Sequence, residues 1–197
     1  MELIALENTL TSRMDPYRFA HTLAVKEECA VLAKLFNLSA QDTADLLVAA
    51  LLHDCTKGLK PAGQIELANR LGIQLSDDDL ASPKVLHSIT GAAVALNEFG
   101  VSNQIAQMIA CHTTGKEDMT LSEKLLYLAD YIEPTRTFPD CVKLRRFFYE
   151  ERKTDLLSHL DRTLILSFDL TLKNLLDEGG HIHIETVKSR NFLMKNA

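Results

Sequence analysis

The chain has few cysteines, and they are widely separated. Only four occur in 197 residues, and no two of them form a C-x-x-C pair. A chain of this length buries roughly 70% of the surface that its unfolded form exposes, so it needs no disulfide staples to fold. The four cysteines, Cys29, Cys55, Cys111 and Cys141, are therefore predicted to be reduced thiols of a cytoplasmic protein.

Long apolar runs and an excess of positive charge are also missing. No apolar stretch approaches the ~18 residues of a membrane span, and the first residues lack the basic start and cleavage site of a signal peptide. The formal net charge is −6, which disfavours binding to nucleic acid polymers or anionic membranes. These absences predict a cytoplasmic protein with neither kind of partner, although a local positive site can still bind a small anion.

Signals for the start and end of helices, by contrast, are dense. Asp15 and Pro16 supply an N-cap and a proline at the first helical position, and Thr120 with Glu123 forms a capping box. Only the short segment 181–184 alternates as a strand does. The pattern predicts an all-α fold, and the absence of linkers and repeats predicts a single domain over residues 1–197.

The most informative feature is the pair His53-Asp54, which ends the apolar run 46–52. Burying an imidazole and an acid at the end of a core helix is unfavourable unless something pairs with them. Other His and Asp residues also lie within apolar helical sequence. They are His21, His87, His112 and Asp130.

A metal ion is the partner that best explains this set. A single inward-facing histidine is more often a hydrogen-bonded core residue than a ligand. Six such residues change that expectation, because buried imidazoles and carboxylates need partners, and His and Asp are ligands of zinc, manganese and iron. A divalent cation also keeps two buried carboxylates ionised.

Five stretches of the chain resemble the HD superfamily of metal-dependent phosphohydrolases. More narrowly, they are similar to the bacterial HD-domain hydrolases of diadenosine tetraphosphate, the symmetrical bis(5'-nucleosyl)-tetraphosphatases of the YqeK type. The bare His-Asp pair is weak support, whereas His-Thr-Thr-Gly at 112–115 and Ala-Asp-Tyr-Ile-Glu-Pro-Thr-Arg at 129–136 are together specific. The matching stretches are 18–25, 52–57, 86–92, 111–115 and 128–136.

The resemblance implies an HD-domain helical bundle, with the metal and nucleotide site inside 18–136 and helices of 141–197 completing the fold. It also implies symmetrical cleavage of diadenosine tetraphosphate to two ADP. The implied metal is iron, with manganese or another transition metal as alternatives, in one or two ions. The implied metal ligands are His21, His53, Asp54 and Asp130. The implied substrate-binding residues are Arg18, His21, Lys57, His87, His112, Thr113 and Arg136, and His87 and His112 are alternatively ligands of a second metal.

The residue types agree with hydrolysis of a phosphoanhydride. A metal ion lowers the pKa of a bound water to about 7, and Asp54 is placed to act as a base or to orient that water. Lys57 neutralises charge that builds on the phosphate oxygens, and His87 is a candidate acid. The expected catalytic residues are therefore Asp54, Lys57 and His87. No glycine-rich phosphate loop occurs, so side chains and the metal must hold the phosphates.

Two other functions stay open at this point. One is a phosphohydrolase of nucleoside or deoxynucleoside phosphates, and the other is a catalytically inactive nucleotide-binding sensor, which has no need of the full ligand set. The expected ligand is a small dinucleoside polyphosphate or an ADP-like nucleotide. The apolar segment 147–149 and the long C-terminal helix are expected to pack either inside the chain or across a homodimer.

Overall fold

The computed structural model describes residues 3–152 and 154–196. Within these ranges the chain is helical and contains no strand, which confirms the all-α prediction. The segment 181–184, which alternates in sequence, leads into a helix without forming a strand. The eleven α-helices of the described residues are α1 (Leu3–Thr11), α2 (Pro16–Leu35), α3 (Ala40–Leu52), α4 (Pro61–Arg70), α5 (Asp77–Ala81), α6 (Leu86–Phe99), α7 (Asn103–Cys111), α8 (Leu121–Ile132), α9 (Pro139–Glu150), α10 (Leu156–Glu178) and α11 (Ile184–Asn196).

The predicted capping residues begin their helices. Asp15 accepts a hydrogen bond from the Arg18 amide at the start of α2, and the Thr120–Glu123 capping box is formed at the start of α8. Ser82 is a residue type that often caps a helix, but its side chain makes no capping hydrogen bond here, because a 3-10 turn at Pro83–Val85 separates it from α6. These caps fix where α2 and α8 enter the core, and both helices carry site residues.

Two short helices were not predicted from sequence. The first, α1, buries Leu6 and Leu10 and packs against α3. The second, α5, is five residues long and is held by a capping box between Ser76 and Asp79. Helices this short are unstable alone and form through tertiary packing. Their apolar residues are also too few to reveal a helical period in the sequence.

The core surrounds α3. Leu46, Leu51 and Leu52 are completely buried, and α3 packs against α2, α7 and α8. The residues that follow Leu52 therefore leave the helix in the middle of the protein, where water has little access. None of the helices in the described part of the chain is long and apolar enough to cross a membrane.

Candidate functional site

The six His and Asp residues singled out in the sequence come together at the ends of several helices. His53 and His112 are the C-caps of α3 and α7, and Asp130 lies in the last turn of α8. His21 lies inside α2, and His87 lies in the first turn of α6. All six are buried, with His53 and Asp54 fully inaccessible.

The Asp54 carboxylate is the centre of this His/Asp cluster. Its Oδ1 lies 3.3 Å from His87 Nε2, 3.6 Å from His53 Nε2 and 3.7 Å from His112 Nε2. Its Oδ2 lies 3.9 Å from His21 Nε2. One carboxylate thus contacts the ring nitrogens of all four histidines.

Asp130 forms the second centre of the cluster. Its Oδ1 lies 3.0 Å from His21 Nε2 and 3.8 Å from His53 Nε2. His21 and His53 therefore lie between the two carboxylates, whereas His87 and His112 contact Asp54 alone. Three ligand groups, each with atoms within 4.8 Å of one another, follow from this arrangement: His21–His53–Asp54, His53–His112–Asp130 and Asp54–His87–His112.

Three cations surround the carboxylates. Lys57 Nζ lies 3.1 Å and Arg18 Nη1 3.2 Å from Asp54 Oδ2, and Arg136 Nη2 lies 2.5 Å from Asp130 Oδ1. Each of these cationic side chains remains partly exposed. They can therefore turn toward an anion that enters from the solvent side.

Two of the histidines have a defined proton position. His53 Nδ1 lies 2.7 Å from Ala50 O, and His112 Nδ1 lies 2.7 Å from Ile109 O. A carbonyl oxygen only accepts, so each Nδ1 carries a proton, and Nε2 is the ring nitrogen left to accept a hydrogen bond or to bind a metal ion. His87 Nε2 lies 3.2 Å from His112 Nε2, so His87 is the donor of that hydrogen bond.

His53, His87 and Asp130 have the ionisation that metal ligands require, and His21 differs from them. Burial lowers the pKa of His53 to about 4 and also lowers the pKa of His87, so both rings are neutral at neutral pH. Burial raises the pKa of Asp130, but Arg136 and His21 outweigh it and hold that pKa well below the usual value. Metal binding needs neutral imidazole and ionised carboxylate. Burial lowers the pKa of His21 too, but its contacts with Asp130 and Glu133 outweigh burial and raise that pKa, so a metal ion that binds this ring displaces a proton.

Several polar atoms of the cluster have no hydrogen-bond partner although they are buried. They include His21 Nε2, His53 Nε2 and Asp54 Oδ1. Buried polar atoms are rarely left without partners, and these nitrogen and oxygen atoms lie close to one another. A divalent cation satisfies all of them at once, so the residues present fit a metal ion.

A cavity of about 640 Å³ opens beside the cluster. Lys57, His87, Thr113 and Arg136 line its inner end. At this end Thr113 Oγ1 is hydrogen-bonded to Ser88 Oγ at 3.0 Å. Cavities of this size hold nucleotide-sized ligands, and cationic side chains beside the cluster suit the phosphates of such a ligand.

The outer wall of the cavity joins two segments that are far apart in sequence. His181 Nε2 pairs with Asp78, and His183 Nε2 lies 3.1 Å from Asp79 Oδ1. Both histidines line the cavity. These two histidines do not belong to the His/Asp cluster, and their contacts with Asp78 and Asp79 hold α5 against the start of α11.

The structure brings together every site residue proposed from the sequence. His21, His53, Asp54 and Asp130 form the interior of the cluster, while Lys57, His87, His112, Thr113 and Arg136 reach the cavity and Arg18 contacts Asp54. Two further residues contact the site but are not among the site residues expected from the sequence. Glu133 is completely buried against His21, and Arg145 donates to the backbone carbonyls of the turn after α8.

A helical bundle with a buried His/Asp cluster beside a cationic cavity is the arrangement of a metal-dependent phosphohydrolase. The family model of the HD domain matches residues 18–135, which span every residue of the cluster. The chain belongs to the HD-domain family.

Similar proteins with specific names lie within this family. The chain is 34% identical over 181 residues to the symmetrical bis(5'-nucleosyl)-tetraphosphatase of Halalkalibacterium halodurans, covering 90% of this chain and 89% of the relative. It is 30% identical over 189 residues to the protein of the same name from Bacillus subtilis, covering 94% of each. It is also similar to the crystal structure of a predicted HD superfamily hydrolase involved in NAD metabolism from Clostridium acetobutylicum, with a TM-score of 0.88 and 31% identity over 100% of this chain and 99% of that one.

Proposed function

We propose that this protein is a metal-dependent hydrolase that cleaves diadenosine tetraphosphate symmetrically to two ADP. The observation that carries the proposal is the buried cluster of unpartnered His and Asp atoms next to a cationic cavity. The names of the relatives from Halalkalibacterium halodurans and Bacillus subtilis supply the substrate. The cluster by itself supports hydrolysis of a phosphoanhydride.

The metal ligands in this proposal are His21, His53, Asp54 and Asp130. Their atoms form overlapping groups of possible ligands, and the neutral imidazoles and ionised carboxylates suit iron or manganese. Iron is the metal we propose. A bound divalent ion supplies a water of lowered pKa and offsets phosphate charge. The group of Asp54, His87 and His112 is where a second ion would bind.

The cations of the site act on the phosphates. Lys57 and Arg18 both contact Asp54 Oδ2, and Arg136 contacts Asp130. Each of the three cations is therefore next to one of the two carboxylates of the cluster. A phosphate group that enters the cavity can exchange these contacts for its own. Such cations stabilise the negative charge that develops on the phosphate oxygens during the transfer.

The reaction is the attack of water on one of the two central phosphorus atoms. The water oxygen bonds to that phosphorus, and the bond to the bridging oxygen breaks, so one ADP keeps the water oxygen and the other leaves. Asp54 orients the attacking water and receives its proton. His87 Nε2 lies 3.2 Å from His112 Nε2, and its N–H can instead form a hydrogen bond to the bridging oxygen, which leaves as part of the ADP anion without taking up a proton. Catalytic roles thus fall to Asp54, Lys57 and His87.

Product analysis tests the proposal directly. The purified protein with its metal is incubated with diadenosine tetraphosphate in ¹⁸O-labelled water, and nucleotides are separated by chromatography. Two ADP, with label in half of the molecules, is the expected result. ATP with AMP would contradict symmetrical cleavage. Brisk cleavage of nucleoside monophosphates without turnover of the dinucleotide would favour the phosphohydrolase alternative, and binding without any turnover would favour the sensor.

A pair of variants tests the role of Asp54. Asp54→Ala removes the carboxylate that contacts all four histidines, and we expect turnover to be abolished. Asp161→Asn is the matched control, because Asp161 is a partly buried carboxylate that pairs with Lys124 away from the cluster. Undiminished turnover in Asp54→Ala would rule out the mechanism.

We infer that residues 1–197 form one HD-type domain. The described hydrophobic core runs without a break from residues of α1 to α11, and Leu144, Phe148 and Leu164 of the C-terminal helices belong to it. Phe148 is buried inside this core, whereas Tyr149 is 44% exposed. A homodimer and a cytoplasmic location stay predictions.

A further inference from the structure

His21 differs from the other oriented histidines of the cluster in its place on the helix. His53 and His112 are C-caps, and each bonds through Nδ1 to a carbonyl near the end of its own helix. The last carbonyls of a helix have no partner within it, so they are free to accept. His21 lies inside α2, where the carbonyls are occupied by helical hydrogen bonds. Its ring must be held by another part of the chain.

Glu133, the C-cap of α8, supplies that contact. Its side chain is completely inaccessible, and its Oε1 lies 3.1 Å from His21 Nδ1. Thr135 donates to the same carboxylate, from its hydroxyl to Oε1 at 2.7 Å and from its amide to Oε2 at 2.6 Å. A carboxylate with these donors acts as an acceptor only. Glu133 therefore holds a proton on His21 Nδ1, so Nε2 is the ring nitrogen that faces Asp130 and is left to bind a cation.

Arg145 holds the turn that carries Glu133. Its Nε donates to Ile132 O at 2.6 Å, and its Nη2 donates to Glu133 O at 2.5 Å and to Arg136 O at 2.8 Å. One guanidinium from α9 thus fixes the backbone of residues 132–136. This segment carries both Glu133, which contacts His21, and Arg136, which contacts Asp130.

We propose that Glu133 is a positioning residue that sets the tautomer and the ring orientation of His21, and that Arg145 holds Glu133 in place. The proposal rests on the role of His21 as a metal ligand in the function proposed above. Partners that hold a metal-binding histidine typically contribute about 10–100-fold to metal affinity. His53 and His112 are held by backbone carbonyls, which a side-chain substitution cannot remove. His21 is held by a side chain, so the contribution of its partner to metal affinity can be measured by substituting that partner.

The first measurement is the tautomer of His21 in metal-free protein. Protein labelled with ¹⁵N-histidine is examined by long-range ¹H–¹⁵N correlation spectra, and the His21 signals are identified by their loss in His21→Gln. Burial lowers the pKa of His21, but its contacts with Asp130 and Glu133 outweigh burial and raise that pKa, so the spectra are recorded at a pH above it. We expect the neutral native ring to keep its proton at Nδ1. In Glu133→Ala we expect protonation at Nε2 or a mixture of both tautomers. Glu133→Gln keeps the shape of the side chain but introduces an amide donor that faces either His21 or Thr135, so it should disturb the same equilibrium.

The second measurement is the affinity for Mn²⁺, titrated in competition with a chelator. We expect both Glu133 variants to lose about 10–100-fold. Glu123→Gln is the matched control, because Glu123 is also a buried glutamate of α8, 3% exposed, whose partners Thr120 and Lys116 lie at the other end of that helix. It should keep the native tautomer and the native affinity. If Glu133→Ala destabilises the protein, Glu133→Gln remains as the test, because it keeps the shape of the side chain.

An unchanged His21 tautomer in both Glu133 variants would overturn the proposal, as would Mn²⁺ affinities within about twofold of the Glu123→Gln control. Neither measurement uses substrate. A failure of diadenosine tetraphosphate hydrolysis would therefore leave the positioning role standing, and an unchanged tautomer would leave the hydrolysis proposal standing.

Discussion

Gly115, the last residue of the His-Thr-Thr-Gly stretch, offers the sharpest test of how the site is joined to the rest of the fold. It has a φ of +67°, and a Cβ built on it would lie 2.7 Å from Phe168 Cζ and 2.8 Å from Ser189 Oγ. Both neighbours are completely buried. The Ser189 hydroxyl also donates to Thr114 O at 3.2 Å. Gly115 is thus the point where the turn after His112 packs against α10 and α11.

The magnitude for Gly115→Ala follows from two effects. An L-residue in the left-handed region costs about 1–2 kcal/mol. Forcing a methyl group into a packed core costs about 1–3 kcal/mol more. We therefore expect a loss of about 2–5 kcal/mol in the free energy of unfolding, or a fall of roughly 4–20 °C in Tm for a chain of this size. Phe168 packs on Tyr127 at 4.9 Å, so it has little freedom to move away.

Gly91→Ala is the matched control for this prediction. Gly91 lies inside α6, and its added Cβ would meet His53 O and Thr56 Oγ1 at 3.5 Å, which is ordinary van der Waals contact. Replacing a helical glycine by alanine stabilises by about 0.5–1 kcal/mol. Urea unfolding followed by circular dichroism measures both variants. A Gly115→Ala protein within about 0.5 kcal/mol of the native stability would refute the packing argument.

Three further predictions address charge and burial. Lys57→Ala should lower kcat/KM by about 10–100-fold, because it removes a charge-assisted phosphate contact worth roughly 1.5–3 kcal/mol, and initial rates measure it. Burial raises the pKa of Cys111 to about 12, so iodoacetamide at neutral pH should alkylate Cys111 only after unfolding, as peptide mass spectrometry shows. A hydrogen bond from His181 holds the pKa of Asp78 below its usual value. A depressed carboxyl pKa stabilises the fold above the unfolded pKa of about 4 and loses that contribution as the pH falls through the folded value. Acid unfolding of Asp78→Asn should therefore depend less on pH below about 4, and an unchanged profile would contradict the assignment.

The His/Asp cluster was predictable because its members share one property that sequence shows. His53 and Asp54 end an apolar run, and Asp130 lies inside another. A polar residue in such a place either finds a buried partner or opposes folding. Several of them in separate helices point to a common partner, and the structure brings them together in three overlapping groups whose possible ligand atoms lie within 4.8 Å of one another.

Arg145 was not predictable as part of the site for the opposite reason, whereas Glu133 lies within the stretch 129–136 that carries the family resemblance. Arg145 lies beside Lys143 and Arg146 in sequence, which has the appearance of a solvated cationic face. Its contacts with the carbonyls of Ile132 and Glu133 depend on how α9 packs against the end of α8. Every residue has a backbone carbonyl, so the sequence does not indicate which carbonyls bind a side chain. A side chain that binds backbone is therefore found only when the packing is known.

The placement of the cluster at helix ends also explains which ligand it can hold first. His53 and His112 are the C-caps of α3 and α7, and Asp130 lies in the last turn of α8. The C-terminus of a helix carries a partial negative charge, so three such ends add to the two carboxylates. That field repels a phosphate and attracts a cation. Lys57 and Arg136 reverse it only at the edge that faces the cavity. We therefore expect a divalent cation to bind in the interior before a phosphate binds at the edge, where the cation and the side chains together would make the site positive.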